Sequence, residues 1–202
     1  MKKIIGLLST LLLSAAVQAT PISSGLIIEG TTFGSNNAFQ FFNNSTDGEQ
    51  ITSITWDLTS IGAFFDSTDT SPGNSSSPIT LGSSSSVGHV FPTNDALNGS
   101  GILTISFSDF DAGEFFRFGV DTDFLSAPDA VGLNGNQFFG ATALAIFSDG
   151  SQRFGTYAPT SVVGFGSEVS IVDAVTVPEP ATVLLLGLSL CGLGVSRKKK
   201  NA

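Results

Sequence analysis

The residues best suited to chemistry lie in one acidic stretch, SDFDAGEFFRFGVDTDF, which places five carboxylates within fifteen residues. Alternate residues of a strand face the same side, so Asp121 and Asp123 should project together, as should Asp109 and Asp111. Carboxylate oxygens that converge at a sheet edge suit a hard cation such as Ca²⁺. The stretch therefore allows two interpretations. The first is that these are solvated acids that discourage edge-to-edge strand pairing. The second is a calcium site held by Asp121 and Asp123, assisted by Asp109 or Asp111, although their spacing differs from that of an EF-hand.

Other chemistries find less support in the sequence. Two of the same carboxylates could serve as the acid and base of a polysaccharide hydrolase. One Trp, one Tyr and 18 Phe suit a hydrophobic core better than a sugar-stacking surface. His89 is the only histidine, which excludes multi-histidine metal sites and leaves a Ser-His-Asp triad without support. We expect that the protein is not an enzyme.

The acidic stretch must be positioned by β-strands. Apolar and polar residues alternate over Ile54–Leu58, Leu103–Ser108 and Phe116–Val120, and two further segments, ATALAIFSDG and EVSIVDAVTV, also read as strands. No window of a dozen residues between positions 20 and 176 has a convincing helical stripe. The pattern predicts an all-β fold, a single β-sandwich or jelly-roll-like domain of eight to ten strands over residues 20–176.

Two segments have the composition of long loops. Residues 66–88 are dominated by Ser, Thr, Gly and Pro, and residues 125–137 carry several Gly, Asn and Pro residues. We expect both to connect strands at the surface of the domain.

The first nineteen residues have the features of a signal peptide. Lys2 and Lys3 precede an apolar run that ends at Leu13, and small residues occupy the cleavage positions up to Ala19. The apolar run is too short to span a bilayer. Signal peptidase is therefore expected to cut after Ala19, and the protein is expected to be exported across the inner membrane.

Residues 177–202 form a second targeting segment. Pro178, Glu179 and Pro180 cannot be helical throughout and should form an extended stub. Residues 181–196 carry no charge and would span about 24 Å as a helix, close to the thickness of the hydrocarbon core. The basic residues that follow should stay cytoplasmic. They are Arg197, Lys198, Lys199 and Lys200.

This arrangement of a Pro-Glu-Pro stub, a short apolar segment and a basic cluster resembles the PEP-CTERM sorting signal of Gram-negative bacteria. The resemblance is limited to residues 177–202. It implies that an exosortase, a multi-pass membrane enzyme, recognises Pro178–Pro180 and processes the chain. It also implies a transient membrane anchor through the C-terminal helix, then a cell-surface or extracellular location. Such signals typically accompany exopolysaccharide and biofilm matrix.

Charge limits the partners further. Between residues 20 and 176 only Arg117 and Arg153 are basic against sixteen acidic residues, a formal charge of −14. This field repels nucleic acid, so no nucleic-acid partner is expected. The only cysteine, Cys191, lies in the apolar C-terminal segment, so no disulfide can support the domain. We expect a non-enzymatic surface or extracellular-matrix protein associated with exopolysaccharide or biofilm. The alternative is a calcium-dependent carbohydrate-binding module, and a polysaccharide hydrolase comes behind both.

Overall fold

The computed structural model describes residues 21–172, except residues 71 and 74. The described residues belong to one compact unit, Thr20–Asp173. The expected signal peptide with its cleavage at Ala19, the Pro-Glu-Pro stub, the apolar segment and the basic cluster all lie outside the described residues. Within residues 21–172, none of the helices is long and apolar enough to cross a membrane.

The described part of the chain is almost entirely β-structure, with thirteen strands, one short α-helix and two 3₁₀ turns. The strands are β1 (Pro21–Ile28), β2 (Phe39–Asn43), β3 (Ile51–Asp57), β4 (Ala63–Asp66), β5 (Thr80–Leu81), β6 (His89–Val90), β7 (Ile102–Phe110), β8 (Phe115–Gly119), β9 (Asp121–Phe124), β10 (Thr142–Phe147), β11 (Gln152–Thr156), β12 (Ala158–Pro159) and β13 (Phe165–Val172). The helix α1 spans Asn94–Leu97, and the 3₁₀ turns span Thr59–Ile61 and Gly135–Phe138.

The strands form where apolar residues alternate with polar ones. In β7, Leu103, Ile105 and Phe107 are buried while the residues between them are exposed. Strand β10 shows the same period, with its alternate residues buried from Ala143 onward. Side chains of period two on an extended backbone give one face to the core and the other to solvent. The all-β prediction is confirmed, as are the strands expected around Trp56, Ile105 and Phe118.

Two sheets share one hydrophobic core. The larger has the strand order β12-β13-β1-β2-β8-β5, and the smaller has the order β11-β10-β3-β7-β6. The Trp56 ring on the smaller sheet lies 5.9 Å from the Phe41 ring and 5.0 Å from the Phe118 ring on the larger one, both edge-on. Such edge-to-face contacts between large aromatic rings favour packing of the two sheets.

The number of strands exceeds the expected eight to ten because several strands are only two to four residues long, and one of them, β5, lies within a predicted loop. The predicted loop 66–88 begins at the last residue of β4 and contains β5, where Thr80 pairs with Gly119 of β8. The predicted loop 125–137 includes most of the 3₁₀ turn Gly135–Phe138. Strand β5 forms because β8, distant in the chain, supplies its hydrogen bonds. The 3₁₀ turn is held locally, by reciprocal hydrogen bonds between Asn134 and Gln137.

A third, two-stranded sheet lies beside the main core. Strand β4 pairs antiparallel with β9, so that Phe64 faces Asp123 and Asp66 faces Asp121. Phe65 belongs to the core shared with the two large sheets. Because side chains alternate along a strand, Phe64 and Asp66 lie on the opposite face of this ribbon, together with Asp121 and Asp123.

Candidate functional site

Three aspartates meet on the face of the β4–β9 ribbon that lies opposite the core residue Phe65. Asp66, Asp121 and Asp123, called here the aspartate triad, each offer a carboxylate oxygen, and these oxygens all lie within 4.8 Å of one another. All three residues are fully buried, with 0% exposure. Asp66 lies directly across the ribbon from Asp121. Like charges in this relation destabilise a sheet, and burial makes the repulsion stronger.

Most of the carboxylate oxygens of the triad lack hydrogen-bond donors. Both oxygens of Asp66, both of Asp123 and Oδ2 of Asp121 are buried without a hydrogen bond of normal geometry to any described residue. Asp121 Oδ1 accepts hydrogen bonds from the Thr122 backbone N–H at 2.8 Å and the Thr32 hydroxyl at 3.5 Å, and the Gly132 backbone N–H lies close enough to Asp123 to lower its pKa. Unpaired buried carboxylates are costly, because neither water nor a donor compensates their charge.

The backbone of two covering segments is pressed against the triad. A β-carbon on Gly73 would overlap Asp66 Oδ2 and lie 2.6 Å from the Pro128 carbonyl oxygen. One on Gly132 would lie 2.7 Å from Asp121 Oδ1. Glycine at both positions allows this close approach. A backbone carbonyl oxygen is thereby brought next to the carboxylates.

Backbone hydrogen bonds hold the same segments in place. The Asp121 N–H donates to Ser77 O at 3.0 Å, and the Leu133 N–H donates to Thr122 O at 2.8 Å. Segments 67–79, without residues 71 and 74, and 125–134, called here the covering segments, therefore join the ribbon through β9.

The surroundings favour the neutral form of each carboxyl group. Burial is the main cause and raises the pKa of Asp66 to about 6 and the pKa of Asp121 and Asp123 to about 7. The next cause is a neighbouring carboxylate: Asp69 for Asp66, Asp123 for Asp121, and Asp66 for Asp123. Without a bound cation, the ionised form of the three carboxyl groups is therefore unfavourable.

The structure divides the four predicted metal ligands into two groups. Asp121 and Asp123 lie together, whereas Asp109 and Asp111 are exposed and do not belong to the triad. Asp109 accepts from the backbone N–H of Gly88, and Asp111 accepts from the side chain of Gln50. The calcium prediction for Asp121 and Asp123 stays a prediction.

Sequence reasoning missed Asp66, which replaces Asp109 and Asp111 beside the predicted pair. The sequence places Asp66 at the start of the predicted polar loop 66–88. The available signal was the run AFFD, in which three apolar residues lead directly into a carboxylate. All four residues of this short strand are buried.

His89 lies apart from this chemistry. Its ring packs 4.6 Å from the Phe91 ring and 5.1 Å from the Phe116 ring, measured between centroids. Its Nδ1 lies 3.2 Å from the Val87 carbonyl oxygen. These contacts favour a packing role at the edge of the core.

Comparison with known proteins gives one match, at the C-terminal end. Residues 176–199 match the family described as the PEP-CTERM protein-sorting motif. This confirms the resemblance seen in the sequence, and the matched residues include Pro178–Pro180 and the start of the basic cluster. The motif implies export, membrane anchoring through the C-terminal segment before processing, and processing by exosortase. No curated protein and no solved structure matches the chain.

Proposed function

We propose that this chain is a non-enzymatic surface or extracellular-matrix protein that exosortase releases from its C-terminal anchor and that associates with exopolysaccharide. The observation that carries the proposal is the sorting motif at residues 176–199, which directly follows the compact β unit Thr20–Asp173. In this proposal the β unit is the part of the chain that acts at the surface or in the matrix, and the C-terminal segment serves only to export and sort it.

The burial of the triad supports a structural role over catalysis. Its oxygens lie within 4.8 Å, not far from the separation of about 5–5.5 Å used by retaining glycosidases. A glycosidase pair, however, must contact the glycosidic bond and water. All three side chains have 0% exposure, so a polysaccharide would not reach them without opening of the covering segments.

The charge of the β unit constrains how it meets a polysaccharide. At −14 between residues 20 and 176, the unit repels an acidic polymer unless cations intervene. A neutral polysaccharide, or an acidic one bridged by divalent cations, is the expected partner. This requirement keeps a calcium-dependent carbohydrate-binding module as the second candidate.

The sorting step can be tested with two epitopes. One is inserted after Thr20, beyond the signal peptide, and one after Ala202, and the chain is produced in a bacterium with and without its exosortase gene. We expect the C-terminal epitope to disappear while the N-terminal epitope reaches the surface or the medium, only when exosortase is present. Intact-mass measurement of the released form then locates the cut.

A double substitution in the motif, Glu179→Ala with Pro180→Ala, should keep both epitopes in the membrane fraction. The matched control is Glu29→Ala with Gly30→Ala, an exposed pair in the β unit where an added β-carbon at Gly30 meets nothing within 4 Å. This control should be processed normally. A surface form that retains the C-terminal epitope in the presence of exosortase would show that the sorting proposal is wrong.

A further inference from the structure

We propose that Asp66, Asp121 and Asp123 bind one Ca²⁺ ion that fastens the two covering segments to the β4–β9 ribbon. The observation behind this inference is the combination of three buried carboxylates with five oxygens that lack a hydrogen bond of normal geometry to any described residue. It does not rest on the sorting function, because every ligand lies within residues 21–172.

The size of the cluster suits calcium. Calcium–oxygen distances are about 2.3–2.6 Å, so two oxygens on opposite sides of the ion lie about 4.6–5.2 Å apart. The triad oxygens lie within 4.8 Å of one another. Magnesium would bring opposite ligands to about 4.0–4.2 Å and usually keeps several waters. A fully buried cluster of carboxylates leaves little room for those waters.

The number of available oxygens also suits calcium, which takes about six to eight oxygen ligands. The five carboxylate oxygens without a hydrogen bond of normal geometry come first. The Pro128 carbonyl oxygen is held close to Asp66 Oδ2 by the approach of Gly73. Calcium accepts carboxylate and backbone carbonyl oxygens alike, in flexible geometry. One oxygen from each aspartate, a second oxygen from those that bind bidentately, and this carbonyl would together reach the lower limit of that range.

Within residues 21–172, no cationic side chain lies on the β4–β9 ribbon that carries the triad. Residues 20–176 contain no lysine, and the two arginines lie on β8 and β11 rather than on the ribbon. The Arg117 Nε donates to Gln40 Oε1 at 2.8 Å, and its guanidinium carbon lies 4.6 Å from the Phe115 ring centroid. A bound metal ion would supply the positive charge that these three buried carboxylates lack.

Calcium at this position would crosslink elements that are distant in the chain. Asp66 is the last residue of β4 and directly precedes the segment 67–79. Asp121 and Asp123 lie on β9, which is followed by the segment 125–134. Binding to the folded form alone stabilises that form by mass action. Because the ligands are fully buried, the ion can leave only when the covering segments open.

The test uses the full-length chain in a non-ionic detergent and CaCl₂ as the only probe. Titration calorimetry on metal-stripped protein should show one ion per chain. When free calcium is about a hundredfold above Kd, the melting midpoint should rise by about 5–10 °C over the value in chelator at equal ionic strength. Hydrogen exchange of segments 67–79 and 125–134 should slow at least tenfold, with little change in β10.

The decisive variant replaces all three ligands, with Asp66→Asn, Asp121→Asn and Asp123→Asn. It should lose the calcium response and melt in chelator no lower than the parent chain, because three buried charges are gone. The matched control, Asp109→Asn with Asp111→Asn, removes two exposed carboxylates from outside the triad and should keep the full response.

Two results would overturn the proposal. One is a parent chain whose calorimetry shows no binding and whose midpoint is the same in calcium and in chelator. The other is a calcium shift that survives in the triple variant, or that is lost only in the control variant. If the triple variant fails to fold, Asp123→Asn alone decides: an unchanged calcium affinity excludes the site, and a loss of at least tenfold supports it.

Discussion

The hydrogen bond between Trp56 and Tyr157 gives a sharp test of how the two large sheets are joined. Trp56 Nε1 donates to the Tyr157 hydroxyl oxygen at 3.0 Å, and the two residues are 0% and 2% exposed. Trp56 lies on β3 of the smaller sheet. Tyr157 lies between β11 and β12, where the chain passes from the smaller sheet to the larger.

The perturbation is Tyr157→Phe, which deletes one oxygen and keeps the ring. The indole N–H is then left buried without an acceptor, and no water can easily replace the hydroxyl. A β-carbon on Gly25 would lie 2.9 Å from that oxygen and also 2.8 Å from the Phe41 ring, so the space is filled by protein. Leaving a buried donor unsatisfied costs about 1–3 kcal/mol. For a chain of this size, the melting midpoint should fall by about 2–10 °C.

The assay is thermal and urea unfolding of the full-length chain in non-ionic detergent, followed by circular dichroism. The control is Thr104→Val, which removes an exposed hydroxyl that lies 2.8 Å from the Thr55 hydroxyl. Water can replace that contact, so the control should change the free energy of unfolding by less than about 0.5 kcal/mol.

A double-mutant cycle isolates the hydrogen bond. In a Trp56→Phe background the donor is already absent, so Tyr157→Phe should cost less there by at least about 0.5 kcal/mol, the lower limit for coupled neighbours. If Tyr157→Phe melts within about 1 °C of the parent, or costs the same in both backgrounds, the hydrogen bond does not join the sheets as described.

Three further predictions concern the core and the triad. Trp56→Ala should lower the free energy of unfolding by about 3–5 kcal/mol, measured by urea unfolding, because it leaves a cavity where the ring packs against Phe41 and Phe118 of the facing sheet. Gly73→Ala should lower calcium affinity and the melting midpoint, since its β-carbon would overlap Asp66 Oδ2, whereas Gly30→Ala should change neither. Metal-stripped protein should melt at a higher temperature at pH 5 than at pH 8. The triad binds protons more tightly in the folded chain, with pKa values of about 6 and about 7 against 3.8, so its stability falls as pH rises through this window. Saturating calcium should reverse that order, and a metal-stripped chain that is more stable at pH 8 would contradict the placement of the triad.

The strands and the C-terminal sorting motif could be predicted from the sequence because their signals are local. Period-two alternation around Trp56 and Ile105 dictates which side chains face the core, whatever the neighbouring strand is. The Pro-Glu-Pro motif and the basic cluster likewise lie within one short segment, and the family match at residues 176–199 agrees with that interpretation. Segments read as polar loops were less well predicted, since β5 forms only because β8 offers it partners.

The composition of the acidic site was decided by tertiary structure. The sequence placed Asp121 and Asp123 on one face, because residues two apart on a strand point the same way. It could not show that Asp66 would lie across from Asp121, since the pairing of β4 with β9 joins segments far apart in the chain. Nor could it separate Asp109 and Asp111 from the site, although they are nearer in sequence. Burial and the loss of hydrogen-bond donors arise only when the covering segments close over the ribbon, and these two conditions turn three ordinary carboxylates into a candidate cation site.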